Sequence, residues 1–425
     1  MSVDVLIVGS GGREHALAWK LKQSPRVGKL YIAPGNGGTR LIGENVPIGV
    51  MDFQKLADFA AERGVGLTIC SMDDPLAAGI VDFFNTRGLR IWGPSKDAAQ
   101  IESSKVFSKE LMKEAKIPTA EFKVCTTPTQ ALAYVRLHKL PLVIKADGLA
   151  VGKGVYICRT MEEAEKAVDE LMVKRMFGES GAEVIVEEYI DGPEVSLHAL
   201  TDGIEHILFP SSQDHKRALE NDEGANTGGM GAIAPVPWMN DEMVTRADYE
   251  VVTPALEALK NQGIRYQGVL YPGIIMTANG PRTLEYNARF GDPECQVYMR
   301  LLKNDLLDLI EASIDGTIGL IKKSIEWNWG FAVNIVVASG GYPGAYKKGF
   351  PITGIEEADK LPGVVVFHAG TTYENYQLVT SGGRVLGVSA MGSTLKEALD
   401  RAYQAIGKIH FEGMYFRRDI GARSL

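Results

Sequence analysis

Val3-Asp4-Val5-Leu6-Ile7-Val8-Gly9-Ser10-Gly11-Gly12-Arg13-Glu14-His15 sets the architecture of the first quarter of the chain. An apolar, β-branched run gives way to a glycine-rich turn, and an amphipathic stretch, Glu14 to Gln23, reads as a helix. Moving outward, Lys29–Ala33 is a second strand. Asp52 then caps a helix with Phe53, Leu56, Phe59 and Ala60 on one face. Leu67–Cys70 is a strand, Pro75–Thr86 a helix with proline just inside its start, and Leu89–Trp92 another strand. Strand and helix alternating in this way predict a doubly wound parallel sheet over residues 1–102.

The glycine turn invites a dinucleotide reading, which its spacing resists. Glu14 stands where G-x-G-x-x-G needs its third glycine. The second strand runs into Ala33-Pro34-Gly35-Asn36, with no acid for a ribose hydroxyl. A nicotinamide oxidoreductase is therefore disfavoured. Bare N–H groups and the helix dipole still favour an anion at such a turn. Pro34-Gly35-Asn36-Gly37-Gly38-Thr39 lies on the same sheet edge, so Gly11, Gly12, Asn36 and Gly37 are candidates for one phosphate pocket. A tight turn with no ligand is the other reading.

A chain of 425 residues exceeds one ordinary core, and two to four domains are expected. Hydrophobic content of 45% and charged content of 23% are those of a globular protein. A net charge of −8 argues against a nucleic-acid binder. No apolar run is long enough to predict a membrane span. The N-terminal stretch enters a strand at once, so no secretion signal is expected. Cys70, Cys125, Cys158 and Cys295 have no metal-type spacing and read as buried thiols of a reduced, cytoplasmic protein.

From residue 103 the pattern changes. Ser103–Ala115 reads as one helix ended by Ile117-Pro118, Thr129–His138 as another, and Leu142-Val143-Ile144-Lys145 as a buried strand. The glycine loop that follows, Ala146 to Gly154, carries Lys153 and returns as strand Val155–Cys158. It lacks the P-loop spacing. Its glycines suit a lid closing over phosphates. Lys145 is costly to bury without an anion. A nucleotide phosphate would supply one, while a snorkelling strand-end lysine is the bland alternative. Helix Met161–Val173 and strand Val184–Tyr189 complete a small α+β unit. The strand runs into Glu187, Glu188, Ile190 and Glu194, residues suited to an adenine amino group and ribose hydroxyls, or to a solvated charged turn. Strands Phe331–Ala338, Val364–His368 and Arg384–Ala390, then helix Leu395–Ile409, make up a mostly β final domain.

Thr283-Leu284-Glu285-Tyr286-Asn287-Ala288-Arg289-Phe290-Gly291-Asp292-Pro293-Glu294 carries the chemistry. Side chains alternate on a strand, so Glu285 and Asn287 share a face, about 7 Å apart at ~3.4 Å per residue. A carboxylate and an amide oxygen so spaced can share Mg²⁺, which completes its shell with nucleotide phosphates. Arg289 adds a planar fork for carboxylate or phosphate. Gln213-Asp214-His215-Lys216-Arg217 is dense in polar groups, and Asn226-Thr227-Gly228-Gly229-Met230-Gly231 can wrap an anion with backbone N–H groups. His215 alone reads more readily as a surface histidine than as a base. No protein nucleophile pattern is present.

These motifs, in this order, resemble the phosphoribosylamine–glycine ligase (glycinamide ribonucleotide synthetase) family of the ATP-grasp superfamily. The resemblance spans the chain, from Gly11-Gly12-Arg13-Glu14-His15-Ala16-Leu17-Ala18 through Lys145-Ala146-Asp147-Gly148-Leu149-Ala150 to His368-Ala369-Gly370-Thr371. It implies an α/β fold with three parts: a substrate domain at 1–102, a two-part ATP-grasp core at 103–325 with a lid near 120–190, and a C-terminal domain at 326–425. The implied reaction joins glycine to 5-phosphoribosylamine with ATP, through glycyl phosphate, in purine synthesis. Glu285 and Asn287 match the metal ligands for Mg²⁺ or Mn²⁺. Lys105 and Lys145 match phosphate lysines, with Lys153 of the glycine loop a further cofactor-binding candidate, and Glu187, Glu188, Ile190 and Glu194 match the adenosine segment. Arg289, Lys145, Asp214 and Lys216 are implied in catalysis. Gly11, Gly12, Asn36, Gly37, Asp73, Asp214, Arg289 and Asp292 are implied in substrate binding. Small-molecule substrates, no nucleic acid, no membrane, and a monomer or homodimer complete the expectation. One departure stands out. Ser71-Met72-Asp73 stands where the family usually has Gly-Pro-Glu, so Asp73 keeps the carboxylate but shortens it by one methylene. The alternatives are another ATP-grasp ligase for a related phosphoribosyl amine and a non-catalytic adenine-nucleotide sensor.

Overall fold

The computed structural model describes residues 2–149 and 154–425. Lys153 and the middle of the glycine loop lie outside the described residues. Strands β1 (Val3–Gly9), β2 (Val27–Pro34), β3 (Glu44–Asn45), β4 (Leu67–Cys70) and β5 (Ile91–Trp92) form one sheet in the order β3-β2-β1-β4-β5. Every pair in it is parallel. Val5 to Val8 are fully buried, because helices cover both faces of a doubly wound sheet. The strand order reverses beside β1, which places the glycine turn at the carboxyl edge.

One expected helix is broken, and another is preceded by a helix that was not expected. Pro75–Thr86 is in fact Asp73–Ala77 and Ile80–Thr86, separated at Gly79, whose φ of +91° suits a residue without a Cβ. The helix expected over Ser103–Ala115 forms as Lys105–Glu114, and a helix not expected from the sequence, Lys96–Ser103, precedes it. Ser104 between them is extended, and its hydroxyl accepts from the Phe107 N–H at 3.1 Å. Serine competes for backbone donors in this way, which favours a cap over a helix interior. The break turns Glu102 and Lys105 into the same cleft.

Strands β6 (Phe122–Cys125), β7 (Leu142–Ala146), β8 (Val155–Cys158) and β9 (Val184–Glu188) make an antiparallel sheet in the order β6-β9-β7-β8. Helices Pro128–Leu137 and Met161–Val168 close its core over Ile144, Val184 and Val186. A second antiparallel sheet is built on the hairpin Gly268–Thr277 and Gly280–Asn287, joined by Glu194–Ser196, Ala199–Thr201 and His206–Leu208.

The last sheet runs Gln213–Asp214, Gly231–Ala234, Phe331–Ser339, Arg384–Gly392, Val364–His368. Strands from the middle of the chain thus complete a sheet whose other members lie beyond residue 330, with Asp214 opposite Ala232 and Ala232 opposite Asn334. Helix Leu395–Ile406 covers its far face. The hairpin Thr371–Glu374 and Gln377–Thr380, not expected from the sequence, packs against the N-terminal loops, with Gly37 N–H donating to the Thr371 carbonyl at 3.0 Å. All four cysteines are free and buried.

Candidate active site

A cleft of about 1100 Å³ opens where the three antiparallel sheets face each other and the edge of the N-terminal sheet. Its walls carry Lys105, Lys145, Glu187, Glu188, Ile190, Glu194, Asp214, Lys216, Glu285, Asn287, Arg289, Asp292 and Asp73. Residues spread from position 73 to 292 are brought together there.

Glu285 and Asn287 lie on one face of the strand Gly280–Asn287, as the period of two requires. Burial pushes the Glu285 carboxyl up, but Lys216, Lys145, Lys105 and Arg289 outweigh it and hold the carboxyl down at about 2. Lys216 Nζ is 3.8 Å from Glu285 and 3.6 Å from Glu194. Asn287 Oδ1 accepts from Arg289 at 3.2 Å. A hard dication fits one ionised carboxylate and one amide oxygen. Among the described residues no cluster of three or more His, Cys, Asp or Glu could hold a metal alone. Four cationic side chains act on the same carboxylate. That balance suits a metal arriving with a polyanion, which supplies both the remaining ligands and the counter-charge.

The anion that makes burial of Lys145 tolerable is on the protein, contrary to the sequence expectation. Glu187 sits between Lys145 Nζ and Lys109 Nζ, 2.5 Å from each. All three side chains are buried. Burial pulls the Lys109 ammonium down to about 8. Burial alone would raise the Glu187 carboxyl, and the two lysines instead hold it below the usual range. Glu187 was expected in adenine recognition; here both its oxygens face ammonium groups. Glu188 is half-exposed and binds Arg282 at 2.7 Å. Lys105 donates to the Gly148 carbonyl at 2.8 Å, at the threshold of the glycine loop.

Arg289 is anchored by a residue the sequence did not single out. Glu102 accepts its guanidinium at 2.8 Å and the Ala288 N–H at 2.8 Å. Asp73 lies 4.0 Å away. Burial raises the Asp73 carboxyl, but Arg289 and Arg13 outweigh it and hold it low. Arg289 Nε is buried with no partner among the described residues. Asp214 Oδ1 is likewise unpartnered. Burial and neighbouring Glu294 push the Asp214 carboxyl well above the usual range. Burial opposes the charge on Lys216, but Glu194, Glu285 and Asp214 raise its pKa.

The N-terminal loops stand differently from expectation. Gly11, Gly12, Asn36 and Gly37 do not line the cleft. Glu14 folds back so that its carboxylate accepts the Gly11 N–H at 2.7 Å, and Asp292 accepts the Arg13 N–H at 3.3 Å. Carboxylates of the protein therefore occupy donors that were assigned to phosphate. Asn36 Nδ2 donates to the Ser10 and His368 carbonyls, each at 2.9 Å, and its Oδ1 accepts from Gly38 and Thr39. This amide ties two loops to the C-terminal sheet. His215 is neither a surface histidine nor a base at the cleft. It is buried, with Nδ1 toward the Gly231 carbonyl and Nε2 accepting the Gly421 N–H at 3.0 Å. Arg384, also missed, enters from the last sheet and donates to the carbonyls of Gly228 and Asp292, both at 2.6 Å. No local signal marks Glu102, Lys109 or Arg384, since each meets its partner only through the fold.

Comparison with known proteins gives the same picture along the whole length. Residues 3–102 match the N domain of phosphoribosylglycinamide synthetase, 103–295 its ATP-grasp (A) domain, and 332–423 its C domain. The phosphoribosylamine–glycine ligase of Caldanaerobacter subterraneus subsp. tengcongensis is 48% identical, over 98% of this chain and 99% of that protein. The crystal structure of phosphoribosylamine–glycine ligase from Thermotoga maritima superposes with a TM-score of 0.85 at 33% identity, covering 98% of this chain and 100% of that one. At 18% identity, the biotin carboxylase domain of Hydrogenobacter thermophilus 2-oxoglutarate carboxylase, solved with MgADP, ADP and bicarbonate, shares the fold. Its TM-score is 0.76, over 98% of this chain and 92% of that one.

Proposed function

Because this chain belongs to the phosphoribosylglycinamide synthetase family, and so is an ATP-dependent ligase of glycine and 5-phosphoribosylamine, we propose that the cleft residues divide that reaction between a nucleotide end and an acceptor end. In the reaction a glycine carboxylate oxygen attacks the γ-phosphorus of ATP, giving glycyl phosphate and ADP. The amine of phosphoribosylamine then attacks the acyl carbon, phosphate leaves, and the amine gives up a proton. No protein nucleophile is needed, so catalysis rests on charge placement and orientation.

At the nucleotide end, Lys105 and Lys145 face the phosphates, and Lys153 is a third lysine for them. Glu188, Ile190 and Glu194 receive the adenosine. Glu187 pairs with Lys145 and aims it. Glu285 and Asn287 would hold the magnesium or manganese, which would neutralise the polyphosphate charge. At the acceptor end, Arg289 offers its unpartnered Nε to an anionic oxygen of the glycyl group. Asp214 has the raised basicity needed to take the amine proton. Lys216 and Asp292 flank it, and Asp73 faces the ribose hydroxyls. Gly11, Gly12, Asn36 and Gly37 act by framing the loop beside Asp292. The enzyme works on small molecules in the cytoplasm, as a monomer or homodimer. No helix among the described residues is long and apolar enough to cross a membrane.

The observation that carries this reading is the half-buried Glu285 carboxylate, 3.8 Å from Lys216 and held ionised by Lys216, Lys145, Lys105 and Arg289. ADP formation measured with each substrate omitted in turn tests it. Full turnover is expected only with glycine, phosphoribosylamine, ATP and metal together. Turnover that ignores phosphoribosylamine but responds to another amine would redirect the assignment to a related ligase.

A further inference from the structure

Behind the cleft wall lies a chain of buried polar groups that the reaction does not use. Gly291 N–H donates to His198 Nε2 at 3.0 Å. Tyr298 OH lies 2.8 Å from His198 Nδ1 and 2.6 Å from Ser212 Oγ. His198, Ser212 and Tyr298 are completely buried. His198 also stacks on Tyr271, with ring centroids 4.1 Å apart and planes 19° apart. The chain joins two segments of the site. Ser212 opens Ser212-Gln213-Asp214, and Gly291 sits between Arg289 and Asp292. We propose that His198, set in one tautomer by the Gly291 N–H and buttressed by Tyr298 and Ser212, is a positioning residue that holds the Asn287–Asp292 loop at the acceptor end of the cleft.

Hydrogen-bond logic sets the tautomer. Nε2 accepts a backbone N–H, so it carries no proton. A neutral imidazole then carries its proton on Nδ1 and donates it to the Tyr298 oxygen, and Tyr298 in turn donates to Ser212. The other tautomer would set two N–H groups against each other at Gly291 and leave that buried donor unpaired. Burial lowers the His198 pKa well below its ordinary value, in keeping with a permanently neutral ring. Tyr271 supports the ring face, and Ser196 Oγ lies 3.1 Å from its hydroxyl and 3.2 Å from Glu294 Oε1. Backbone bonds between Ser196 and Ser212, at 2.7 and 3.0 Å, hold the far end of the chain. Register across the cleft is thereby built from groups that never touch substrate.

This inference rests on the reading of the 287–292 loop as the acceptor end, and the test separates the two. Tyr298→Phe keeps the ring and removes the hydroxyl. His198→Gln can still offer an oxygen to Gly291, whereas His198→Leu cannot. His198→Leu should lower kcat about tenfold and raise the KM for glycine or phosphoribosylamine severalfold, with the ATP KM within about twofold of the parent. His198→Gln should recover most of that loss. Imidazole ¹⁵N shifts should show a protonated Nδ1 and an unprotonated Nε2 in the parent enzyme and in Tyr298→Phe alike, since the Gly291 N–H still faces Nε2. A protonated Nε2 in the parent enzyme overturns the proposal, as does His198→Leu that melts normally with all kinetic constants unchanged. If Arg289→Ala alone leaves kinetics unaltered while the tautomer result holds, the loop assignment fails and the His198 relay stands.

Discussion

At the scale of single residues, Glu285 and Asn287 differ in what their loss removes. Glu285 brings a full charge that stays ionised at any working pH, since its carboxyl is held at about 2. Glu285→Ala should cut kcat by about hundredfold or more while leaving the melting temperature near that of the parent. Asn287→Ala removes a neutral oxygen and should cost about tenfold. Rising Mg²⁺ should rescue the second variant further than the first, and a Glu285→Ala enzyme with normal turnover at modest Mg²⁺ would disprove the assignment. Asp73 tests the acceptor end. Hydrogen bonds to a charged acceptor contribute roughly 1.5–3 kcal/mol. Asp73→Asn should therefore raise the phosphoribosylamine KM about tenfold and leave the ATP KM unchanged, whereas Asp73→Glu should be tolerated. KM values for both substrates unaltered from the parent in Asp73→Asn would take this loop out of the pocket.

Between elements, the decisive contact is the one joining β7, β9 and helix Lys105–Glu114 through Lys145, Glu187 and Lys109. One buried carboxylate serves two buried ammonium groups. Removing it strands both. Glu187→Gln should lower the free energy of unfolding by about 3 kcal/mol, the scale for breaking one side of a buried pair. Lys109→Met leaves the Lys145–Glu187 pair intact and should cost distinctly less. Urea denaturation of the two variants decides this, and equal losses would show that Glu187 does not bridge them. Element boundaries matter to the chemistry as well. The interruption at Ser104 ends one helix at Ser103 and starts another at Lys105, so Glu102 reaches Arg289 while Lys105 reaches Gly148.

Across the whole molecule, buried histidines serve as joints between distant segments. His15 Nδ1 accepts the His368 N–H at 2.8 Å across 353 positions, and His215 Nε2 accepts the Gly421 N–H across 206. His198 does the same for Gly291 across 93. Burial, with the neighbouring His368 adding to it, lowers His15 to about 3; burial lowers His215 and His368 to about 4. In the unfolded chain the same rings titrate near 6.5. Between these limits the unfolded state binds protons that the folded state refuses, so stability is full above about pH 6.5 and falls as pH drops toward 4. Each such histidine contributes a slope of up to about 1.4 kcal/mol per pH unit in that window. Glu102 and Asp214, whose carboxyls burial raises, act in the opposite sense and offset part of it. Urea midpoints should still fall between pH 7 and pH 5. A midpoint that is flat or rises on acidification would contradict the neutral joints.

What the sequence determined by itself was whatever depends on neighbours along the chain. The apolar run Val3–Val8 and its glycine turn dictated a parallel strand, and alternation on Leu284–Asn287 put Glu285 and Asn287 on one face before any fold was known. The full set of motifs pointed to the family. Tertiary structure alone decided which charges meet. Glu102 reaches Ala288 across 186 positions, and Arg384 reaches Asp292 across 92. Glu187 was legible as a buried-strand acid, but its two lysine partners come from a neighbouring strand and a separate helix. Glu14 could be seen to spoil a dinucleotide fingerprint, yet only the folded loop shows its carboxylate on the Gly11 N–H where a phosphate was expected. The reason is physical. Backbone periodicity and local capping act over a few residues, whereas the cost of burying a charge or an N–H without a partner is met by whichever group the fold brings within about 3 Å.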